Sequence, residues 1–300
     1  MGPRIPQGSV GWAVDDPQRR SERPAVLPSV DLDPSIAVTG ELSPQTIGSS
    51  LRGRFGRPLR FLDEIGSTNT EALRWASEEA PEGALVVTNH QTRGRGRWGR
   101  PWSSAPGKLL QFSLVLRPRM RPEELGLLTT ALGVACADAI RAMTDLDPTI
   151  KWPNDVRING RKLAGILVES ELSGAAVDVV VAGVGVNVAW TADEVPAEIR
   201  ETATSLAIEL GSEGVSRADL LGEILNAFEV RYLSLPGGAS PLIEEASARS
   251  DVLGRQVTVA LSTEATISGR ALRLSPAGEL ELETADGVRT LSVGEISRLR

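Results

Sequence analysis

Hydrophobic and polar positions alternate with different periods along the chain, and each period predicts a different kind of element. Apolar runs bounded by turn-forming residues are typical of strands, and they predict strands over residues 58–65, 84–89, 109–116, 163–169 and 177–188. Apolar residues spaced by three and four predict one helix over 122–143 and another over 220–228. The mixture predicts an α/β (α+β) fold with a mixed β-sheet and flanking helices.

The helix over 122–143 has the clearest pattern. Pro122 suits its first turn, and Glu123 and Glu124 suit the positive end of its dipole. Cys136 lies on the apolar side of the helix, so we expect its thiol to pack in the core as a small hydrophobic group. We expect no membrane contact, because no apolar run approaches the length of a membrane span.

A second helix start follows the first predicted strand. Residues 67–71 read Ser-Thr-Asn-Thr-Glu, which places Thr68 and Glu71 at the spacing of a capping box. That spacing predicts Thr68 as the residue that caps the helix.

Asn159–Gly160 is the strongest short hairpin signal in the chain. If these two residues form the turn, Arg157 faces Lys162 across the hairpin. Asp155 then lies one diagonal step from Lys162 on the same face. The carboxylate would orient the lysine ammonium; the alternative is an ordinary hairpin with its charges in solvent.

The pattern divides the chain into three segments. Residues 1–41 are rich in proline and show no period, which predicts a disordered tail that cannot form a helix-turn-helix. Residues 42–250 hold the mixed strands and helices and are the predicted main domain. Over 251–300 the pattern changes to short strands with a hairpin signal at Asp286–Gly287, which predicts a small barrel.

Composition limits the chemistry. Hydrophobic residues make up 41% of the 300 residues, enough for a core, and the net charge of −7 argues against general nucleic-acid binding. A single cysteine excludes an internal disulfide and a cysteine zinc cluster. His90 is the only histidine, which disfavours a Ser-His-Asp hydrolase and leaves a structural role as its expected one. Without a secretion signal, we expect a soluble cytoplasmic protein.

Residues 94–102 read Gly-Arg-Gly-Arg-Trp-Gly-Arg-Pro-Trp. Glycine lets the backbone approach a ligand, and the forked donors of arginine pair with phosphate or carboxylate. The segment lacks the Lys-Ser/Thr ending of a Walker loop, which disfavours a P-loop ATPase. A solvated basic loop or a nucleic-acid contact is the alternative. Its two tryptophans argue against that, because exposed tryptophan is uncommon without a partner.

A glycine pair also follows a hydrophobic strand, in the segment Gly-Val-Gly-Val-Asn-Val at 183–188. The third glycine of a dinucleotide-binding fingerprint is missing and no helix follows at once, so we reject that function. The glycines suit the close approach of a ligand or a neighbouring strand. Asn187 is then expected to point into the site.

Five motifs together resemble those of the biotin–protein ligases, over about four-fifths of the chain. They are Gly-Ser-Thr-Asn at 66–69, the glycine–arginine loop, Lys-Trp-Pro-Asn-Asp at 151–155, Lys-Leu-Ala-Gly-Ile-Leu at 162–167 and Gly-Val-Gly-Val-Asn at 183–187. Any one alone is weak, but the combination is specific. The resemblance implies a catalytic domain of the biotin/lipoate ligase type and an SH3-like C-terminal barrel. Bifunctional members carry an N-terminal DNA-binding winged helix that the proline-rich segment cannot supply, so the chain resembles the monofunctional type.

The resemblance also implies a two-step reaction. Biotin and Mg-ATP give biotinyl-5′-AMP and pyrophosphate, and a lysine of a biotin carboxyl carrier domain then accepts the biotinyl group. ATP and Mg²⁺ are the implied cofactors, with the magnesium carried mainly by ATP. Asn154, Asp155 and Asn187 resemble polar residues near ATP and the metal, and the metal ligands are left unknown. The implied partner is the carrier domain of acyl-CoA carboxylases, with neither nucleic acid nor membrane, and we expect a monomer or weak dimer.

Residue roles follow from the same motifs. Lys162 is implied as the central catalytic residue, with Arg97 beside it. The implied biotin site comprises Ser67, Thr68, Asn69, Gln91, Gly94, Arg95, Gly96, Arg97, Lys162, Gly165 and Gly185. The implied ATP site comprises Arg95, Arg97, Arg100, Trp102, Asn154, Asp155, Lys162 and Asn187. Trp102 resembles the residue that stacks on adenine.

Two other functions stay open at this point. A lipoate–protein ligase shares the architecture, and supplying each acid with ATP and a carrier would separate the two activities. A biotin-sensing DNA-binding protein would need the helix-turn-helix that the proline-rich segment cannot supply, and a mobility-shift assay tests it.

Overall fold

The computed structural model describes residues 42–174 and 176–299, and the predicted tail over 1–41 lies outside these residues. The helices are α1 (Pro44–Ser50), α2 (Thr68–Ser77), α3 (Gly126–Thr144), α4 (Leu206–Leu210), α5 (Arg217–Ser234) and α6 (Ala239–Ala248). The strands are β1 (Leu59–Ile65), β2 (Leu85–Gln91), β3 (Leu109–Leu116), β4 (Thr149–Lys151), β5 (Asp155–Ile158), β6 (Arg161–Ser173), β7 (Ala176–Asn187), β8 (Gln256–Ala260), β9 (Thr266–Leu274), β10 (Leu280–Thr284), β11 (Gly287–Leu291) and β12 (Glu295–Leu299). The strands and helices predicted from the pattern are confirmed, with ends that differ by a few residues.

The first seven strands form one mixed sheet in the order β1-β2-β3-β7-β6-β5-β4. β1 and β2 are parallel, and every other neighbouring pair in this sheet is antiparallel. A parallel pair needs a crossover connection, which α2 provides. The prediction of a mixed sheet with flanking helices is confirmed.

Helices cover both faces of this sheet. Leu85 and Val87 of β2 belong to a large core shared with α3 and α5, whereas Val86 between them belongs to a smaller core shared with α2. This alternation follows from the two-residue period of a strand. Cys136 of α3 is fully buried in the large core, as predicted, and burial raises the pKa of its thiol to about 12. The thiol therefore stays neutral and packs as an apolar group.

The long predicted helix differs from expectation in two ways. Its first residues form a separate 3₁₀ turn, Pro122–Glu124, before α3 begins at Gly126. The whole segment Pro122–Thr144 is long and apolar enough to cross a membrane, so the expectation that no segment reaches that length is wrong. Most of the segment is buried within the fold, which accounts for its apolar character.

The predicted capping box at the start of α2 is also wrong. Ser67 occupies the N-cap position without a side-chain cap hydrogen bond, and Thr68 lies within the first turn. The Thr68 hydroxyl donates instead to Gln91 Oε1, at 3.1 Å. A capping residue precedes the helix and accepts through its side-chain oxygen, so Thr68 lies one position too late to be the cap.

The hairpin predicted at Asn159–Gly160 joins β5 to β6. Both turn residues have positive φ, 50° and 77°, as a type I′ turn requires. Arg157 pairs with Lys162 as predicted, and a bulge then places Asp155 opposite Gly165. The bulge does not separate the charges, because Asp155 Oδ1 lies 2.6 Å from Lys162 Nζ.

The last five strands form an antiparallel sheet, β11-β10-β9-β8-β12, around a core of its own. Leu280 and Leu282 of β10 are fully buried, as the strict alternation in this segment predicts. Trp152 packs into the same core, and its indole N–H donates to Gly278 O at 3.1 Å. The small C-terminal barrel is confirmed; the segment boundaries of 42–250 and 251–300 stay predictions.

Candidate functional site

Small side chains make one face of the main sheet concave. Register places Gln111, Gly185 and Gly165 side by side across β3, β7 and β6, with Ser113 and Gly183 in the next row. Cross-strand partners share a face, so the glycines leave a depression that another group can approach closely. The start of α2, the glycine–arginine loop and the edge of the barrel enclose a cavity of about 270 Å³ above this floor.

The Trp102 side chain lies directly on the glycine floor. A Cβ added at Gly185 would come within 2.6 Å of the Trp102 ring, and one at Gly165 within 3.0 Å. Glycine is therefore required at both positions for the indole to lie this close. Lys162 Nζ lies 5.4 Å from the centroid of the ring, within the range of a cation–π contact. The cavity thus presents an aromatic surface beside its central lysine.

Cations meet in the middle of the cavity around one carboxylate. Lys162 Nζ contacts Asp155, and Lys162 is held in place because its backbone N–H donates to Thr202 O at 2.7 Å. Lys151 lies opposite Asp155 in the β4–β5 pair and also lines the cavity. Burial is the main cause that lowers the pKa of Lys151, and Asp155 opposes it. Asp155 is paired with Lys162, and Lys151 has no ion pair among the described residues, which leaves positive charge for an anion.

The glycine–arginine loop is anchored to the C-terminal barrel. Arg97 Nη1 donates to Gly294 O at 2.8 Å, and Arg100 Nη1 donates to Glu295 Oε1 at 2.7 Å. Burial lowers the pKa of Arg97; Asp155 opposes this effect, and the neighbouring Arg100 adds to it. The barrel therefore supplies part of the wall of the cavity and holds the loop over it.

Hydrogen bonds fix the amide of Gln91 at one end of the cavity. The backbone N–H and the hydroxyl of Thr68 both donate to Gln91 Oε1, at 2.8 and 3.1 Å. Gln91 Nε2 donates to Gln111 Oε1 at 2.8 Å. Within the described residues the second amide proton of Gln91 has no partner, so Gln91 can offer one donor to a ligand.

The opposite end of the floor carries polar atoms that lack partners. Among the described residues, Trp102 Nε1, Asn187 Oδ1 and Trp190 Nε1 are buried without a hydrogen bond, and all three residues line the cavity. Buried polar atoms are normally paired, so this end offers two donors and an acceptor. Along β7, Gly183 contacts Asn69 and Asn187 lies four residues further, about 14 Å away. The site therefore suits an elongated ligand with an anionic middle.

Nearly all the residues implied by the motifs line this one cavity. They are Ser67, Thr68, Asn69, Gln91, Arg95, Gly96, Arg97, Arg100, Trp102, Asn154, Asp155, Lys162, Gly165, Gly185 and Asn187. Gly94 is not part of the lining; its carbonyl accepts a hydrogen bond from the backbone N–H of Trp102 at 2.9 Å. The roles of these residues in binding and catalysis stay predictions. His90 also lies outside the lining, with Nδ1 3.1 Å from Glu64 Oε2.

Several cavity residues were not among the predicted site residues, and three of them carry charge or an unpaired polar atom. Lys151 belongs to the same Lys-Trp-Pro-Asn-Asp motif as Asp155, and this shared motif is the signal that could have identified it as a site residue. Trp190 lies three residues after the Gly-Val-Gly-Val-Asn motif, and the sequence pattern there predicts only that no helix follows. Glu295 comes from the barrel, and no local pattern connects it with the catalytic domain.

Comparisons with known proteins agree with this arrangement. Residues 61–187 match the model of the biotin/lipoate A/B protein ligase family, and residues 252–299 match the biotin protein ligase C terminal domain. The chain is 33% identical over 264 residues to the biotin–acetyl-CoA-carboxylase ligase of Mycobacterium tuberculosis, covering 86% of this chain and 94% of that protein. The chain belongs to the biotin protein ligase family.

Other relatives of this ligase agree with the assignment. It is 35% identical over 264 residues to the bifunctional ligase/repressor BirA of Bacillus subtilis, covering 87% of this chain and 80% of that protein. The structure of the biotin protein ligase from Aquifex aeolicus in complex with biotin and ATP aligns with a TM-score of 0.68 and 29% identity. That alignment covers 81% of this chain and 99% of the other. The resemblance stated from the motifs is confirmed.

Proposed function

We propose that this enzyme joins biotin to ATP as biotinyl-5′-AMP and transfers the biotinyl group to a lysine of a biotin carboxyl carrier domain. The observation that supports this most is the order of chemistry along one cavity. Hydrogen-bonding side chains lie at one end, cations lie beside an indole in the middle, and the unpaired polar atoms of Asn187 and Trp190 lie beyond them. That order matches the ring, the carboxylate–phosphate junction and the base of a biotinyl nucleotide.

The cations provide the physical basis for the first step. A biotin carboxylate oxygen attacks the α-phosphorus of ATP, and pyrophosphate leaves with the electrons of the broken P–O bond. Both reactants are anionic, so Lys162 and Arg97 lower their repulsion and stabilise the charge that develops on the phosphate. Asp155 holds the ammonium of Lys162 in place from 2.6 Å. Positioning two bound reactants supplies a further large part of the rate.

In the second step the neutral amine of a carrier lysine attacks the acyl carbon of the mixed anhydride. The bond from that carbon to the AMP oxygen breaks, AMP leaves as an anion, and the amine loses a proton. The same cations stabilise the departing phosphate. The loop containing Arg97 covers the cavity, and we propose that it retains the intermediate between the two steps.

Magnesium belongs to the substrate in this proposal. The described residues hold no group of three or more potential metal-ligating His, Cys, Asp or Glu side chains. Two carboxylates line the cavity, and each is paired with a cation: Asp155 with Lys162, and Glu295 with Arg100. These pairings favour a magnesium ion that is carried by ATP. Mg²⁺ therefore arrives on the phosphates of ATP, where it keeps much of its water.

The hydrogen-bond pattern favours biotin over lipoate, the alternative that the sequence left open. Biotin carries a cyclic urea with one acceptor oxygen and two N–H donors. Gln91 offers an N–H, and Asn69 Oδ1 keeps a lone pair after accepting from Ser113. The dithiolane ring of lipoate has no comparable groups. Sites built to hydrogen-bond a polar group reject analogues without it by roughly 10⁴-fold.

Purified protein, labelled biotin, Mg-ATP and a carrier domain test the proposal directly. We expect label on one lysine of the carrier, and lipoate in place of biotin should give little transfer. Lack of transfer, or a preference for lipoate, would overturn the proposal.

A mobility-shift assay tests DNA binding, the other function that the sequence left open. The carrier domain of an acyl-CoA carboxylase is the proposed partner; the cytoplasmic location and the monomer or weak dimer stay predictions.

A further inference from the structure

Glu169 connects three elements of the site from just outside the cavity. It lies on β6 two residues beyond Leu167 and on the same face, but it is not part of the cavity lining. Its Oε2 accepts a hydrogen bond from Asn69 Nδ2 at 2.8 Å and another from Arg95 Nη2 at 3.2 Å. Asn69 and Arg95 both line the cavity. One carboxylate oxygen therefore joins α2, the glycine–arginine loop and the central sheet.

The first consequence concerns the orientation of the Asn69 amide. Asn69 Nδ2 donates to Leu167 O at 3.2 Å as well as to Glu169, so both protons of the Asn69 NH₂ group are used. Asn69 Oδ1 lies 2.6 Å from Ser113 Oγ. A hydroxyl can donate or accept, so Ser113 pairs with either end of the amide. Leu167 O and Glu169 only accept, so they decide which end faces the cavity.

The second consequence concerns Arg95. Its side chain is 43% exposed, and apart from Glu169 its guanidinium contacts Thr70 Oγ1 at 3.3 Å. The residues on either side of Arg95 are glycines, which restrict the loop little. An ion pair this exposed contributes little to overall stability. Its effect is to hold the guanidinium over the biotin end of the cavity.

We propose that Glu169 is a positioning residue that sets the affinity of the site for biotin through Asn69 and Arg95. This inference rests on the proposed function. Glu169 does not contact the reacting atoms, so its loss should weaken biotin binding and leave the chemical step unchanged. Without it only Leu167 O holds the Asn69 NH₂ group, so the amide turns more easily to present that group to the N–H of the urea, which places donor against donor.

Glu169→Ala is the direct test, with Glu171→Ala as its matched control. Glu171 lies two residues along the same strand and is exposed. We expect Glu169→Ala to raise KM for biotin about tenfold, since one orienting hydrogen bond to a charged group is lost, with kcat unchanged within about twofold. The control should match the wild type in both constants. Calorimetric titration with biotin alone should show the same tenfold loss.

A double mutant tests the route of the effect. In an Asn69→Ala background, Glu169→Ala should raise KM for biotin by no more than about threefold, because only the contact with Arg95 remains to be lost. Glu169→Gln keeps an acceptor for Asn69 and should raise KM by about threefold in the otherwise wild-type enzyme. This variant also serves if the alanine variant does not fold.

The outcomes separate this inference from the function on which it rests. If the wild type does not label a carrier, the proposed function fails. If the wild type is active and Glu169→Ala has the wild-type KM, or lowers kcat as much as it raises KM, only the positioning role fails. A full tenfold effect in the Asn69→Ala background, or an equal effect of Glu171→Ala, also overturns it. For Glu169→Gln, an increase of tenfold or more in KM for biotin would show that an acceptor for Asn69 is not enough, which also contradicts the inference.

Discussion

Replacing Lys162 with methionine should slow formation of biotinyl-5′-AMP by about 10²- to 10³-fold. Methionine keeps an unbranched side chain that can pack beside Trp102, so the main change is the loss of one positive charge. Lys162 Nζ lies 2.6 Å from Asp155 and 5.4 Å from the Trp102 ring, which places the charge over the cavity floor. The charge is therefore next to the path of an anionic ligand.

The magnitude follows from Coulomb's law. A phosphate oxygen about 3.5 Å from Nζ would interact with it by about 5 kcal/mol at an effective dielectric constant of about 20. Part of that interaction is already present with bound ATP, so it does not lower the barrier. A remainder of about 3–4 kcal/mol corresponds to a rate factor of about 10²–10³. Arg97 and Lys151 stay in place, which is why activity should fall rather than vanish.

Biotin-dependent exchange of labelled pyrophosphate into ATP measures this step alone. Transfer from synthetic biotinyl-5′-AMP to a carrier measures the second step, which should fall by a smaller factor because the phosphate ester already exists. Lys108→Met is a matched control, since Lys108 is as exposed as Lys162, at 34%, and forms an ion pair with Glu194 away from the cavity. An exchange rate for Lys162→Met within threefold of this control would refute the role assigned to the charge.

Three further changes test other parts of the site. Gly185→Ala places a Cβ within 2.6 Å of Trp102, so the indole must move, and KM for ATP should rise in steady-state assays. Lys151→Met removes a charge whose pKa burial lowers, so the free energy of unfolding without ligand should rise by about 1 kcal/mol in denaturant titrations while ATP affinity falls. Arg97→Gly should let biotinyl-5′-AMP escape and label bystander lysines, and equal bystander labelling by the wild type would contradict a retaining role for the loop.

The parts of the fold that the sequence predicted are those set by short-range physics. Asn159–Gly160 selects its turn type through backbone conformation alone, and the turn fixes the register of the strands beside it. The contact between Asp155 and Lys162 follows from that register, even with a bulge in the pairing. The buried strands were visible because their apolar runs are long enough to exclude other elements.

Contacts between distant segments could not be predicted in this way. Thr68 satisfies the local rule for a cap, but in the fold it lies within the first turn and its hydroxyl donates to Gln91 on a neighbouring strand. The hydrogen bond from Arg97 to Gly294 O joins residues 197 positions apart, and the local sequence of neither segment predicts the contact. Glu169 reaches Asn69 across 100 positions in the same manner. Where a side chain has several possible partners, the fold as a whole determines which one it contacts.

The charge of the site is another property that bulk composition conceals. Among the described residues that line the cavity, five cations face two carboxylates, a surplus of three in a chain whose net charge is −7. The cations are Arg95, Arg97, Arg100, Lys151 and Lys162, and the carboxylates are Asp155 and Glu295. Burial is the main cause that lowers the pKa values of Arg97 and Lys151, and neighbouring cations add to it, so the charged site is destabilised when it is empty. An anion that enters relieves this repulsion, so the same arrangement that weakens the empty site strengthens its binding of a carboxylate and a nucleotide. An acidic protein can therefore bind anions specifically, because the local field in the cavity decides the binding and the overall charge does not.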